Sequence, residues 1–117
     1  MDIRELVAAL LAGDLLTARE YAADARRVPV RWDQLEQPSG MSVRELSVAA
    51  GVIELLAARN GGAPPRWTKA IGPLEEPLLL DPGLDEMPRS FARAKAEGPE
   101  PLRRRNLIAS PGFLDVA

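Results

Sequence analysis

The chain has 117 residues, 46% of them hydrophobic, and a formal net charge of −2. That is the size of one modest domain, without the strong positive field of a dedicated nucleic-acid binder. Cysteine and histidine are both absent, which excludes disulfides and thiolate metal sites and removes the commonest general base and metal ligand.

A cysteine-free chain suits a reducing compartment. The opening residues, Met1 to Leu11, carry Asp2, Arg4 and Glu5 among apolar positions, unlike the core of a signal peptide. No uncharged apolar run nears the roughly 18 residues needed to cross a bilayer. The expectation is a cytoplasmic protein with no membrane partner and no cofactor.

The first helix is expected from about Asp2 to Ala12, because Ile3, Leu6, Val7, Leu10 and Leu11 recur on one face of a 3.6-residue period. Gly13 can end it, and Asp14 can cap the next helix. That helix spans about Leu15 to Arg27. Leu15, Ala18, Ala22 and Ala25 give it a face of small side chains that permits close approach, and Pro29 stops it. A connector follows, in which Trp32 and Leu35 suit one short helical turn and Pro38-Ser39-Gly40 signals a reversal. The third helix has the clearest start. Ser42 and Glu45 match a capping box, with Met41 and Leu46 at the positions of a hydrophobic staple. It runs to about Arg59 with apolar residues on more than one side, as a central helix requires. Gly51 within it costs about 1 kcal/mol relative to alanine, so close packing is expected there.

Asn60-Gly61-Gly62 divides the chain. Nine of the eleven prolines lie beyond it. Pro64 to Thr68 reads as extended chain. The stretch Ile71 to Leu80, broken by Gly72, Pro73 and Pro77, cannot be a regular helix; its Leu78-Leu79-Leu80 suits a short strand or a strip of anchors. Asp81-Pro82-Gly83 is a turn. A short helix is expected over about 87–97, with Pro88 in its first turn. The tail from Glu100 to Ala117 holds Leu102, Leu107, Ile108, Phe113 and Leu114, too apolar for a solvated tail. The expected fold is mostly α: a three-helix bundle over residues 1–62, and a partly extended proline-rich arm over 63–117 with one short helix and a C-terminal tail, not an independent domain. Such an arm is kinked and greasy enough to need a covering surface, on the head, a second subunit or a partner.

Four features bear on function. Residues 43–52 have the look of a helix-turn-helix start, but Ile53, Leu55, Leu56 and Ala57 follow where a recognition helix needs polar or basic side chains. The run Arg103-Arg104-Arg105 reads equally as a solvated patch and as a docking element flanked by Leu102 and Leu107-Ile108; direct nucleic-acid contact ranks third. Trp32 and Trp67 read first as core plugs and second as interface anchors. The pairs Glu75-Glu76 and Asp85-Glu86 read as solvated charge, lacking the convergence that catalysis or hard-cation binding demands. No phosphate loop, nucleophile elbow or activated serine is present. No catalytic or metal-binding residue is assigned, and the chain reads as a binding protein.

Two groups of segments carry a likeness. One is residues 15–27, LLTAREYAADARR, with the later PPRWT of 64–68. The other is EGPEPLRRRN at 97–106, followed by SPGFL at 110–114. Together they resemble small bacterial proteins encoded beside a minimal nucleotidyltransferase in toxin–antitoxin-like gene pairs. The resemblance implies an antitoxin-like role, in which the small protein binds and restrains its nucleotidyltransferase partner, and it supplies no catalytic residues. The partner-facing residues then expected are Trp67, Leu78, Leu79, Leu80, Arg103, Arg104, Arg105 and Phe113. Two other readings stand beside it. One is a DNA-binding regulator using the third helix; the other is a structural subunit that homodimerises by exchanging arms.

Overall fold

The computed structural model describes Met1 to Asp115; the last two residues of the expected tail, Val116 and Ala117, lie outside the described residues. The class is mostly α, with 56% of the described residues helical, 3-10 turns included, and 3% in strand. Helices α1 (Ile3–Leu11), α2 (Leu15–Arg27) and α3 (Val43–Arg59) come first. Then follow strand β1 (Leu78–Leu79), α4 (Pro88–Glu97), the four-residue α5 (Glu100–Arg103) and β2 (Leu107–Ile108). Single 3-10 turns interrupt the connectors at Trp32–Gln34, Arg66–Ala70 and Leu84–Glu86.

Local chemistry sets the helix boundaries. Asp2 and Asp14 accept from the backbone N–H of Glu5 and Thr17, capping α1 and α2. Ser42 and Glu45 form the reciprocal capping box of α3, at 3.1 and 3.0 Å, which satisfies two orphan amides. The small face of α2 is buried through Ala18, Ala22 and Ala25, so α2 lies close to its neighbours.

Helix α3 is the axis of the molecule. Eleven consecutive residues, Ser47 to Ala57, are buried, so every side of the helix meets protein. One side is covered by α1 and α2; the others are covered by residues from beyond Gly62. Leu80, Leu102, Leu107, Phe113 and Leu114 belong to the same buried cluster as Leu6, Ile53 and Leu56. Burying each of these leucines and the phenylalanine contributes about 1.5–3 kcal/mol. The radius of gyration is 13.2 Å, against about 13.4 Å for a compact chain of this length; an arm held away from the head would raise it. The expected arm is therefore folded back, because its apolar residues find α3 before they need a partner.

Two contacts make that return close. At Gly51 an added Cβ would lie 2.9 Å from Leu102 Cδ2 and 3.3 Å from the Pro101 carbonyl oxygen, so only glycine lets α5 approach α3 this far. At Gly62 an added Cβ would lie 2.6 Å from the Trp32 ring, which is buried as a plug over the end of α3.

The second half departs from the expected layout in two places. Residues Arg66–Ala70 form a 3-10 turn rather than extended chain, with Thr68 Oγ1 donating to the Pro65 carbonyl at 2.9 Å. Leu78–Leu79 pairs in parallel with Leu107–Ile108. The amides of Leu74, Leu78 and Leu80 donate to the carbonyls of Arg105, Asn106 and Ile108, so a segment broken by prolines is still tied down by three long-range bonds. Asn106 sits at φ +66°, a conformation asparagine tolerates, and its side-chain amide donates to the Leu74 carbonyl at 3.1 Å.

Candidate partner-binding surface

The basic run of 103–105 is divided three ways by the fold. Arg105 is 2% exposed, the largest fully buried side chain. Its guanidinium lies flat against Glu54 in the middle of α3, Nη1 to Oε1 and Nη2 to Oε2 both at 2.8 Å. Its other three donors reach backbone carbonyls: Nη1 to Pro101 at 2.9 Å, Nη2 to Thr68 at 2.8 Å and Nε to Ile71 at 3.2 Å. A guanidinium has five N–H donors in a fixed fork, and all five are satisfied. One side chain thereby joins α3, the turn after Pro65 and α5. Arg104 also bonds Glu54 but remains partly exposed. Arg103 is exposed and donates from Nη1 to the Ala96 carbonyl at 2.6 Å.

Burial pushes the Glu54 carboxyl up. The bidentate hydrogen bond from Arg105, with the charges of Arg105 and Arg104, outweighs that and holds it below its ordinary value of 4.5. The carboxylate is therefore ionised at neutral pH. With its oxygens filled by arginine it serves structure rather than acid–base chemistry.

The other residues expected to face a partner separate by burial. Leu80 and Phe113 are buried in the chain's own interior. With Arg105, they are corrected from partner contacts to internal ones. Each completes a surface of the core that α1 and α2 leave open. Leu78 and Leu79 are half-buried, each packed against a core cluster. Trp67 is half-buried, and its indole N–H donates to the Leu35 carbonyl at 2.9 Å. Only Arg103 and Arg104 are exposed. Helix α3 is unbroken through Gly51, and its buried middle leaves no face to enter a DNA groove.

An open apolar site lies elsewhere. The end of α2 and the connector after it diverge from the start of α1, leaving a groove of about 490 Å³. Met1, Tyr21, Val28, Val30 and Leu35 line it. It continues past Met1 and Leu35 into a shallower depression beside Asp2, Arg4 and Pro38. Val28 is 63% exposed and Met1 39%, so two exposed large apolar side chains share this edge. Tyr21 donates its hydroxyl to Glu5. That bond, with partial desolvation and the charge of Glu5, pushes the phenol up to about 12, so it remains a protonated donor at the rim. Trp67, through its bond to Leu35, steadies the outer wall. Sequence reading passed over this site because its apolar residues belong to three elements and show no period. Its available signal was the pair Val28 and Val30 flanking Pro29, apolar residues on both sides of the helix stop.

Among the described residues no three acidic side chains gather to hold a metal ion, and no helix is long and apolar enough to cross a membrane. No protein-family model, curated protein or solved structure matches the chain.

Proposed function

We propose that this chain is a small antitoxin-like binding protein that engages and restrains a partner nucleotidyltransferase. The partner's identity comes from the resemblance of residues 15–27, 64–68, 97–106 and 110–114; the groove supports binding as the activity. The observation that carries the reading is a ligand-sized apolar groove whose lining includes a largely exposed valine and a partly exposed methionine. Exposed apolar surface gathered at one edge, with a polar rim, is the composition of a protein-binding surface. The partner contact thus moves from the arm to the groove, with Trp67 behind its wall. The alternative in which α3 reads DNA would require exposing a helix buried over eleven residues.

The test is co-expression with the neighbouring gene product, which this reading expects to be a nucleotidyltransferase. Co-purification and rescue of cell growth are expected. Val28→Asp and Leu35→Asp should weaken the complex by about tenfold or more, since burying a charge in an apolar contact is strongly disfavoured. Failure of the wild-type pair to co-purify, with no rescue, removes the reading. A stable dimer that ignores the candidate partner in light scattering would favour the homodimeric subunit instead.

A further inference from the structure

We infer that the cleft between α4 and β2 binds a phosphate group, free or as a monoester. Five basic side chains lie between residues 93 and 105. Arg93 pairs with Glu97 at 2.9 Å, and Arg104 and Arg105 both pair with Glu54. Lys95 and Arg103 have no carboxylate partner among the described residues, and these two line the same small cleft.

The lining of that cleft contains no acid. Lys95 and Arg103 supply its charge, Asn106 its one neutral polar side chain, and Pro77, Ala94 and Ile108 much of its apolar surface. Both cations are partly positioned already. The Lys95 ammonium rests 5.5 Å from the centre of the Phe91 ring, within the range of a cation–π contact. The bond from Arg103 Nη1 to the Ala96 carbonyl orients the guanidinium and leaves Nη2 and Nε unbonded. The acids nearest in sequence to the lining are turned to other uses or to solvent: Glu97 holds Arg93, and Glu75, Glu76 and Glu100 are exposed.

Charge and size select the ligand. Two cations beside an apolar floor attract an anion more strongly than they would in open water. A phosphate monoester carries close to two negative charges at neutral pH, matching the pair, whereas a carboxylate or a phosphodiester carries one. Arginine's fork and lysine's point charge are both suited to phosphate oxygens. The cleft holds about 80 Å³. That is well below the roughly 300–1,000 Å³ of a pocket for a drug-sized ligand, so the cleft suits a phosphoryl group rather than a whole nucleotide or a folded peptide. The site shares no lining residue with the apolar groove, so it stands or falls separately from the proposed partner.

The experiment is an amide NMR titration of the full chain with sodium phosphate at constant ionic strength, at about pH 8, where a monoester (second pKa roughly 6) and the less acidic free phosphate ion are both mainly dianions. Saturable shifts are expected at Lys95, Ala96, Arg103 and Asn106, with a Kd on the order of millimolar, a modest affinity for so few contacts. Phenyl phosphate binding more tightly than inorganic phosphate would identify a monoester as the ligand; equal binding would identify the free ion. Dimethyl phosphate and acetate should bind at least about fivefold more weakly, since each brings one charge. Lys95→Gln should weaken phosphate binding about tenfold, while Arg89→Gln, on the same helix but outside the cleft, should leave it unchanged. Lys95 makes no structural hydrogen bond, so its variant keeps the test valid even if Arg103→Gln loosens α4. Absence of saturation, shifts spread over all basic residues, or equal weakening by Arg89→Gln would overturn the inference.

Discussion

Breaking the Arg105–Glu54 pair should be the most damaging conservative change in the chain. Arg105→Met removes the cation and leaves a carboxylate whose side chain is 7% exposed. Stranding one partner of a buried pair destabilises by about 3–5 kcal/mol, and the contact that the half-exposed Arg104 keeps with Glu54 offsets only a small part of it. The same substitution strips the carbonyls of Thr68, Ile71 and Pro101 of a donor, each worth about 1–3 kcal/mol if no water replaces it, so the upper end of the range is expected. Glu54→Leu strands the guanidinium but leaves its carbonyl partners, and should lose about 3–4 kcal/mol. At roughly 2.1 cal/mol/K for each residue, unfolding 117 residues has an entropy of about 0.25 kcal/mol/K. A loss of ~4 kcal/mol therefore lowers Tm by about 16 °C. The double variant should recover most of one single loss, a coupling of about 3 kcal/mol, because no charge is then stranded. Arg104→Gln, at a side chain 45% exposed, should lose under about 1 kcal/mol. The assay is urea unfolding followed by circular dichroism, supported by calorimetric Tm. There is also a pH signature. The folded carboxyl titrates below its ordinary 4.5, so its stabilisation is complete above that value and is lost as pH falls through the folded value. The gap between wild type and Glu54→Leu should stay level from neutral pH down to about 5, then narrow. Additive single losses, or single losses below about 1 kcal/mol as at a surface pair, would refute the assignment of Arg105 as the internal clamp.

Further outcomes follow from the packing. Gly51→Ala gains helix propensity of up to about 1 kcal/mol yet should still destabilise, because overpacking against buried Leu102 and the Pro101 carbonyl costs about 1–3 kcal/mol; Gly62→Ala, against the rigid Trp32 ring, should do the same, and higher Tm in both would show that the second half does not press on α3. Ser42→Ala should lower stability by about 1 kcal/mol through loss of the capping box, measured by urea unfolding; no change would mean that the box is not formed in solution. In hydrogen exchange on the lone chain, the amides of Leu74, Leu78 and Leu80 should be protected by about a thousandfold or more, and those of α4, which buries only Ala94 fully, by less. Rapid exchange at all three leucines would return the second half to a free arm.

What could be read without the fold was whatever depends on neighbours a few residues apart. The stripe of Ile3, Leu6, Val7 and Leu10, the caps at Asp14 and Ser42, and the stop at Pro29 are events within one or two turns, and they dictated α1, α2 and α3. The same locality revealed α4 through Pro88 and Phe91. The destination of Arg103, Arg104 and Arg105 had no such signal. Three adjacent arginines are chemically alike, and their separate fates were set by a carboxylate 51 residues away for Arg105 and a carbonyl of α4 for Arg103. The one available hint was Glu54 itself, an acid within a helix apolar on every side, which had to be paired if buried. The groove likewise exists only because α1, the end of α2 and the connector diverge in space. Local periodicity specifies which face of a helix is apolar; it carries no information about which distant segment covers that face, since that choice rests on shape and charge matching between residues that meet only after the chain has closed.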